Sequence, residues 1–177
     1  NWNNRIGVPM TLFGLNADQQ EFAVIEAGIN QPGEMAALGE MIEADLTIIT
    51  NIASAHLELL GSLERVAAEK AELVLRSRAD APVVLPSSVF QYEAFAACAE
   101  RALVLAGEGE SVSPEPKRLI RYRLEVSGAE QSRLHLREDS TEACFEIASP
   151  SEGICMNAAL AIVAARELGI SDVEMRE

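Results

Sequence analysis

The sequence predicts an α/β fold, a mostly parallel sheet flanked by helices with a small antiparallel β subregion. Short β-branched runs alternate with helix-length segments as far as residue 105, and strands spaced by helices pair in parallel. Period-two alternation appears only after residue 117, as in antiparallel strands with one covered and one wet face. The chain has 177 residues, 49% of them apolar and 24% charged. That is enough to bury a real core.

The elements follow in order. Phe22-Ala23-Val24-Ile25 is an apolar run ending at Glu26, read as a first strand, with residues 28–33 as a loop. Pro32 cannot sit inside a helix, so a helix opens just after it over residues 34–43. Leu46-Thr47-Ile48-Ile49-Thr50 is a buried strand. Residues 51–61 form a loop and 62–78 a helix, with Ser62 as N-cap and Val66, Leu73 and Val74 on its apolar face. A strand over 82–86, a helix over 89–101 and a strand over 103–105 complete the alternation. Residues 108–116 are a Gly/Ser/Pro/Glu loop. Residues 117–148 hold the antiparallel part, and 157–168 a closing helix with Gly169 as its C′ residue.

Charge and cysteine content exclude some classes. The net charge of −14 argues against nucleic acid or an anionic membrane as a partner. No apolar run approaches the roughly 18–20 residues of a membrane span, and Asn1-Trp2-Asn3-Asn4-Arg5 lacks the layout of a signal peptide. Cys98, Cys144 and Cys155 are odd in number and in no metal-binding spacing, so they read as reduced thiols of a cytoplasmic protein.

Three ionisable residues fall where a doubly wound sheet puts its ligands or close by. Glu26 ends the first run, His56 lies in the loop after Thr50, and Lys70 is on the inward stripe of the following helix. Singly, each has a plain reading: a solvated glutamate, a surface histidine, a snorkelling lysine.

Three blocks tie them together. Asn1 to Leu12 (N-W-N-N-R-I-G-V-P-M-T-L), the E-x-G-x-N-x-x-G-E run from Glu26 to Glu34, and T-N-I-x-x-A-H-L-E from Thr50 followed by G-S and K-x-E resemble the Mur ligases, in particular the MurF type. The resemblance is strong over residues 1–76, weak over 77–150 and partial over the last helix. It implies the P-loop NTPase-like central domain of an ATP-dependent amide ligase of peptidoglycan synthesis, spanning 1–169, with 170–177 leading to a further domain. The substrates implied are a UDP-muramoyl peptide and D-alanyl-D-alanine, joined through an acyl phosphate. The cofactors implied are ATP and Mg²⁺. By match to the motifs, Glu26 and His56 are magnesium ligands and Lys70 is a lysine carbamylated by CO₂, which would then hold a second Mg²⁺. Asn30 and Asn51 match positions close to the active site, and Asn157 a nucleotide contact.

The sequence also departs from that pattern. It holds no G-x-x-x-x-G-K-[ST], and Ser151-Glu152-Gly153-Ile154 stands where the family shows G-x-H. These departures predict that the chain alone does not turn over ATP. A non-catalytic Mur-like binding module and a folylpolyglutamate-synthase-like ligase stand as alternatives. The joint retention of Glu26, His56 and Lys70 favours the enzyme, and the Asn3-Asn4 and E-x-G-x-N blocks tell against the folylpolyglutamate type.

Overall fold

The computed structural model describes residues 2–53 and 60–176, which fall into two units. The first takes in Asn1–Thr47 and Ile52–Ala81, the second Ile48–Asn51 and Pro82–Glu177.

Helices α1 (Gly7–Phe13), α2 (Glu34–Ile42) and α3 (Leu63–Leu75) build the first unit. Its core is Val8, Ile29, Met35, Leu38, Leu60 and Val66, with Ile25, Ala27 and Leu73 packed against it. As the capping preference predicts, Ser62 is the α3 N-cap, its hydroxyl accepting from Arg65 N–H at 3.3 Å. Contact between α2 and α3 depends on Gly39, where an added Cβ would lie 2.7 Å from Arg76 Cβ and 3.4 Å from the Glu72 carbonyl oxygen. Arg76 also reaches Glu40 and Glu72, both at 3.2 Å. Gly39→Ala therefore sets a helix-propensity gain of up to about 1 kcal/mol against overpacking of about 1–3 kcal/mol. Because Arg76 Cβ cannot swing aside without its backbone, overpacking wins. A urea midpoint lowered by an equivalent of about 1 kcal/mol is expected, and an unchanged midpoint would mean that the helices separate without cost.

The expected strand at Phe22 to Ile25 is not formed. The segment is extended and its side chains alternate, Ile25, Ala27 and Ile29 inward and Val24 outward at 95% exposure. A strand is completed by a hydrogen-bonded neighbour, and none pairs with it among the described residues.

The second unit is organised on a sheet ordered β1-β2-β3-β4-β5-β6, with β1 Thr47–Ile48, β2 Val83–Pro86, β3 Ala102–Gly107, β4 Arg118–Val126, β5 Ser132–Glu138 and β6 Thr141–Ile147. β2, β3 and β4 are parallel, pairing Leu85 with Val104 and Leu105 with Ile120. β4, β5 and β6 are antiparallel, pairing Tyr122 with Leu136 and Leu136 with Ala143. The antiparallel part is thus a continuation of the parallel sheet through β4. Every residue of β2 is buried, so both faces are covered there, whereas β5 and β6 alternate buried with exposed positions.

Two helices differ from their expected form. The segment expected as one helix over 89–101 is a short α4 (Ser87–Phe90) and then a 3-10 helix, Glu93–Arg101. Its buried residues Phe95 and Cys98 are three apart, the 3-10 repeat, and Cys98 Sγ donates to the Phe95 carbonyl at 3.0 Å. The closing helix α5 (Glu152–Glu167) begins five residues before Asn157, because Cys155 already lies on the buried stripe with Ala159 and Val163. It ends as expected, with Gly169 at φ 84° and Ile170 N–H donating to the Ala165 carbonyl at 3.0 Å. Beyond it, Arg166 holds Asp172 through two bonds of 2.8 and 2.9 Å.

Candidate active site

Glu26 lies on the outward side of the extended segment, and its carboxylate is held from the chain's beginning. Asn3 Nδ2 donates to Glu26 Oε1 at 2.9 Å, while Gly28 N–H donates to the Asn3 carbonyl at 2.8 Å. A Cβ on Gly28 would lie 2.7 Å from that same Nδ2. Glycine at 28 is therefore what lets the Asn3 amide lie over the segment and reach the carboxylate.

The loop over residues 28–33 is held mainly by carboxylates. Pro32 has no N–H, and the three other amides from 30 to 33 are all engaged. Asn30 and Gln31 donate to Glu34 Oε2 at 2.6 and 2.9 Å, and Gly33 donates to Glu69 Oε1 at 2.8 Å. Arg5 Nη2 takes the Gly33 carbonyl at 3.2 Å. Gly33, at φ 80°, turns the chain into α2, a conformation in which a side chain would be strained. These amides are occupied by the protein's own acids and offer no open cradle to a phosphate. The Asn30 residue itself is exposed.

Lys70 follows Glu69 on α3 and is half-buried. Burial disfavours its ammonium form and pulls its pKa below the usual lysine range. Among the described residues, no group of three or more His, Cys, Asp or Glu is arranged to hold a metal ion. The expectation for His56 lies outside the described residues, in the stretch 54–59.

The structure thus brings the Asn30 loop onto the helix that carries Lys70, in the unit that also holds Glu26. Asn51 and Asn157 belong to the second unit, and both are exposed, Asn157 on α5. An open cleft of 590 Å³ in the second unit, lined in part by Lys117, Arg118, Arg121, Glu138 and Asp139, takes in none of the expected site residues.

Residues 1–165 match the Mur ligase middle domain. The chain belongs to this family. Over 73 residues, 41% of the chain, it is 45% identical to the UDP-N-acetylmuramoyl-tripeptide–D-alanyl-D-alanine ligase of Escherichia coli, covering 16% of that protein. It is 36% identical to the ligase of the same name from Synechocystis over 85 residues, 48% of the chain and 18% of that protein. The alignments therefore take in less than a fifth of these relatives' length. Among solved structures, MurF from Acinetobacter baumannii superposes with a TM-score of 0.78 at 22% identity, over 99% of this chain and 37% of that one. MurF from Thermotoga maritima in complex with ADP gives 0.71 at 19% identity, over 97% and 38%. These two likenesses show that the Mur ligase central-domain fold is shared.

Sequence reasoning did not single out Asn3, Glu34 or Glu69 as contributors to this candidate site. Glu34 carried a signal, being an acid in the first turn of a helix entered from a Gly. Asn3 carried one only as part of the N-N-R-I-G block. Glu69 carried none, since its partner Gly33 is 36 residues away.

Proposed function

We propose that this Mur ligase middle domain serves an ATP-dependent ligase that joins D-alanyl-D-alanine to a UDP-muramoyl peptide in the cytoplasm, residues 1–169 being its central domain and 170–177 leading onward. The observation that carries the reading is the half-buried Lys70, whose ammonium form burial disfavours, on the helix that holds the Asn30 loop through Glu69.

The residues present fit a hard divalent cation as far as they are described. The Glu26 carboxylate and the Asn30 side-chain amide supply oxygen donors, and Asn3 fixes the orientation of the first. Magnesium keeps several waters and needs only one or two protein carboxylates, so the lack of a three-residue cluster among the described residues is compatible with it. In this reading Glu26 and His56 hold Mg²⁺. When bound, Mg²⁺ offsets the repulsion between a substrate carboxylate and the triphosphate. The neutral amine of Lys70 attacks the carbon of CO₂ and loses a proton to water, and the resulting carbamate supplies two oxygens where an ammonium would have repelled the ion. Asn51 and Asn157 offer amides to the nucleotide. The substrate carboxylate takes the γ-phosphoryl group, leaving ADP, and the D-alanyl-D-alanine amine then displaces phosphate from the acyl carbon.

The polypeptide carrying this domain, given UDP-muramoyl tripeptide, D-alanyl-D-alanine, ATP and Mg²⁺, is expected to yield the pentapeptide product with one phosphate released per bond. Mass spectrometry of the product checks this. Nucleotide binding without product would instead favour a binding module, the reading that Ser151-Glu152-Gly153-Ile154 in place of G-x-H supports.

A further inference from the structure

We propose that Glu69 is a positioning residue, which clamps the loop over residues 28–33 to the α3 turn bearing Lys70 and so sets the spacing between the two halves of the metal site. This inference rests on the metal-dependent reading above and adds a residue that the motifs do not contain.

The clamp is a single bond with fixed ends. Glu69 Oε1 accepts from Gly33 N–H at 2.8 Å, and the other carboxylate oxygen, Oε2, is buried and has no hydrogen-bond partner among the described residues. A glutamate on a helix surface ordinarily turns both oxygens to water. Here the side chain has given up solvent at Oε2, at a cost of about 1–3 kcal/mol, to keep Oε1 on the loop. A group packed in that way has one orientation, so its bond to Gly33 acts as a restraint. The loop end is equally fixed, since Glu34 holds Asn30 and Gln31 and Arg5 holds the Gly33 carbonyl. The loop therefore moves as a block. Its hydrogen bond to α3 runs from Gly33 N–H to Glu69, the residue next to Lys70. Losing that bond loosens the Asn30–Gly33 end of the loop from the Lys70 turn, while Ile29 stays packed in the core with Val66, α3 keeps its Ser62 cap and the loop keeps its own bonds.

The test uses the 177-residue chain with bicarbonate, Mn²⁺ as the probe cation read by its EPR signal, and Gly33 amide exchange by NMR. Wild type is compared with Glu69→Ala, which removes the clamp, and Glu69→Gln, which keeps an acceptor oxygen and loses the charge. In Glu69→Ala the Gly33 amide is expected to exchange about five-fold faster and Mn²⁺ to bind about five-fold more weakly, as for one lost hydrogen bond. Glu69→Gln is expected to restore both to within about two-fold, and α3 amides to stay protected throughout. Unchanged Gly33 exchange or unchanged Mn²⁺ affinity in Glu69→Ala overturns the proposal. So does a Glu69→Gln chain that protects Gly33 yet binds Mn²⁺ as weakly as Glu69→Ala, since Glu69 would then act on the cation by its charge. A wild-type chain that binds no Mn²⁺ overturns the metal reading and the clamp with it. Every other failure leaves that reading standing. Should Glu69→Ala not fold, Glu69→Asp, one methylene too short to reach Gly33, takes its place.

Discussion

Under the proposed function, replacing Lys70 by alanine in the polypeptide carrying this domain is expected to lower the ligation rate about 10²–10³-fold, and formate or acetate is expected to restore part of it. The reasoning starts from solvation. A lysine half-buried on α3 has lost much of the water that stabilises an ammonium, and its pKa is shifted down accordingly. A lowered pKa favours the neutral amine, the form that combines with CO₂ in the proposed chemistry. The carbamate formed is an anion with two oxygens, whose loss a small carboxylate diffusing into the vacated space can replace. A lysine acting as a cation toward phosphate would give the opposite pattern. Added carboxylate would then inhibit, and Lys70→Arg would retain activity. Stability separates the two kinds of loss. Removing a partly desolvated charge that tertiary structure disfavours is expected to leave the urea midpoint unchanged or raised. Steady-state ligation rates with and without added carboxylate decide the matter. Full activity in Lys70→Ala, or a loss that no carboxylate relieves, removes the carbamate from the reaction.

How much of this was legible beforehand depends on how local the cause was. Ser62 as a cap, Pro32 outside the next helix and Gly169 after the last one depend on a few neighbouring residues, and all three appear as read. The alternation after residue 117 gave the antiparallel strands for the same reason. What the pattern could not hold was partnership. Phe22 to Ile25 has the composition of a strand, yet strand structure belongs to a pair, and no partner lies beside it among the described residues. The continuity of β4 with β3 is likewise a property of two segments. At the site, the identities of Glu26, Asn30 and Lys70 were available from the motifs, but the bonds that organise them were not. Asn3 on Glu26 spans 23 residues and Glu69 on Gly33 spans 36, and neither separation has a period. The motifs marked the candidate residues, and long-range hydrogen bonds hold Glu26 and the Asn30 loop in place.

Replacing Arg118 by methionine is expected to have the largest effect on stability, and one whose size depends on pH. Arg118 opens β4 and donates through Nε and Nη2 to Glu138, at the end of β5, and through Nη1 to Glu167, at the end of α5. The Nη2 bond to Glu138 Oε2 is 2.8 Å. One guanidinium thus joins two strands and a helix. Side-chain exposure is 34% for Arg118, 23% for Glu138 and 22% for Glu167, so the group lies between a surface pair, worth under about 1 kcal/mol, and a buried one, whose breaking costs about 3–5 kcal/mol. A loss of about 2 kcal/mol near pH 7 is the expected middle value. The hydrogen bond from Arg118 holds the Glu138 carboxyl below its ordinary value of 4.5. A folded-state pKa below the unfolded one contributes stability that is complete above pH 4.5 and is lost as pH falls through the folded value. In Arg118→Met the Glu138 carboxyl loses the hydrogen bond that holds its pKa down and keeps its desolvation, which raises it, against the remaining charge of Arg166. The pH-dependent contribution of the Arg118–Glu138 bond is therefore absent from the variant, while acid removes it from the wild type. Urea titrations at pH 7 and at about pH 4 should therefore show the gap between the two proteins narrowing with acid. A gap that is constant across that range would mean that Arg118 contributes through the packing of its methylenes, which methionine restores, and that its charge is solvated.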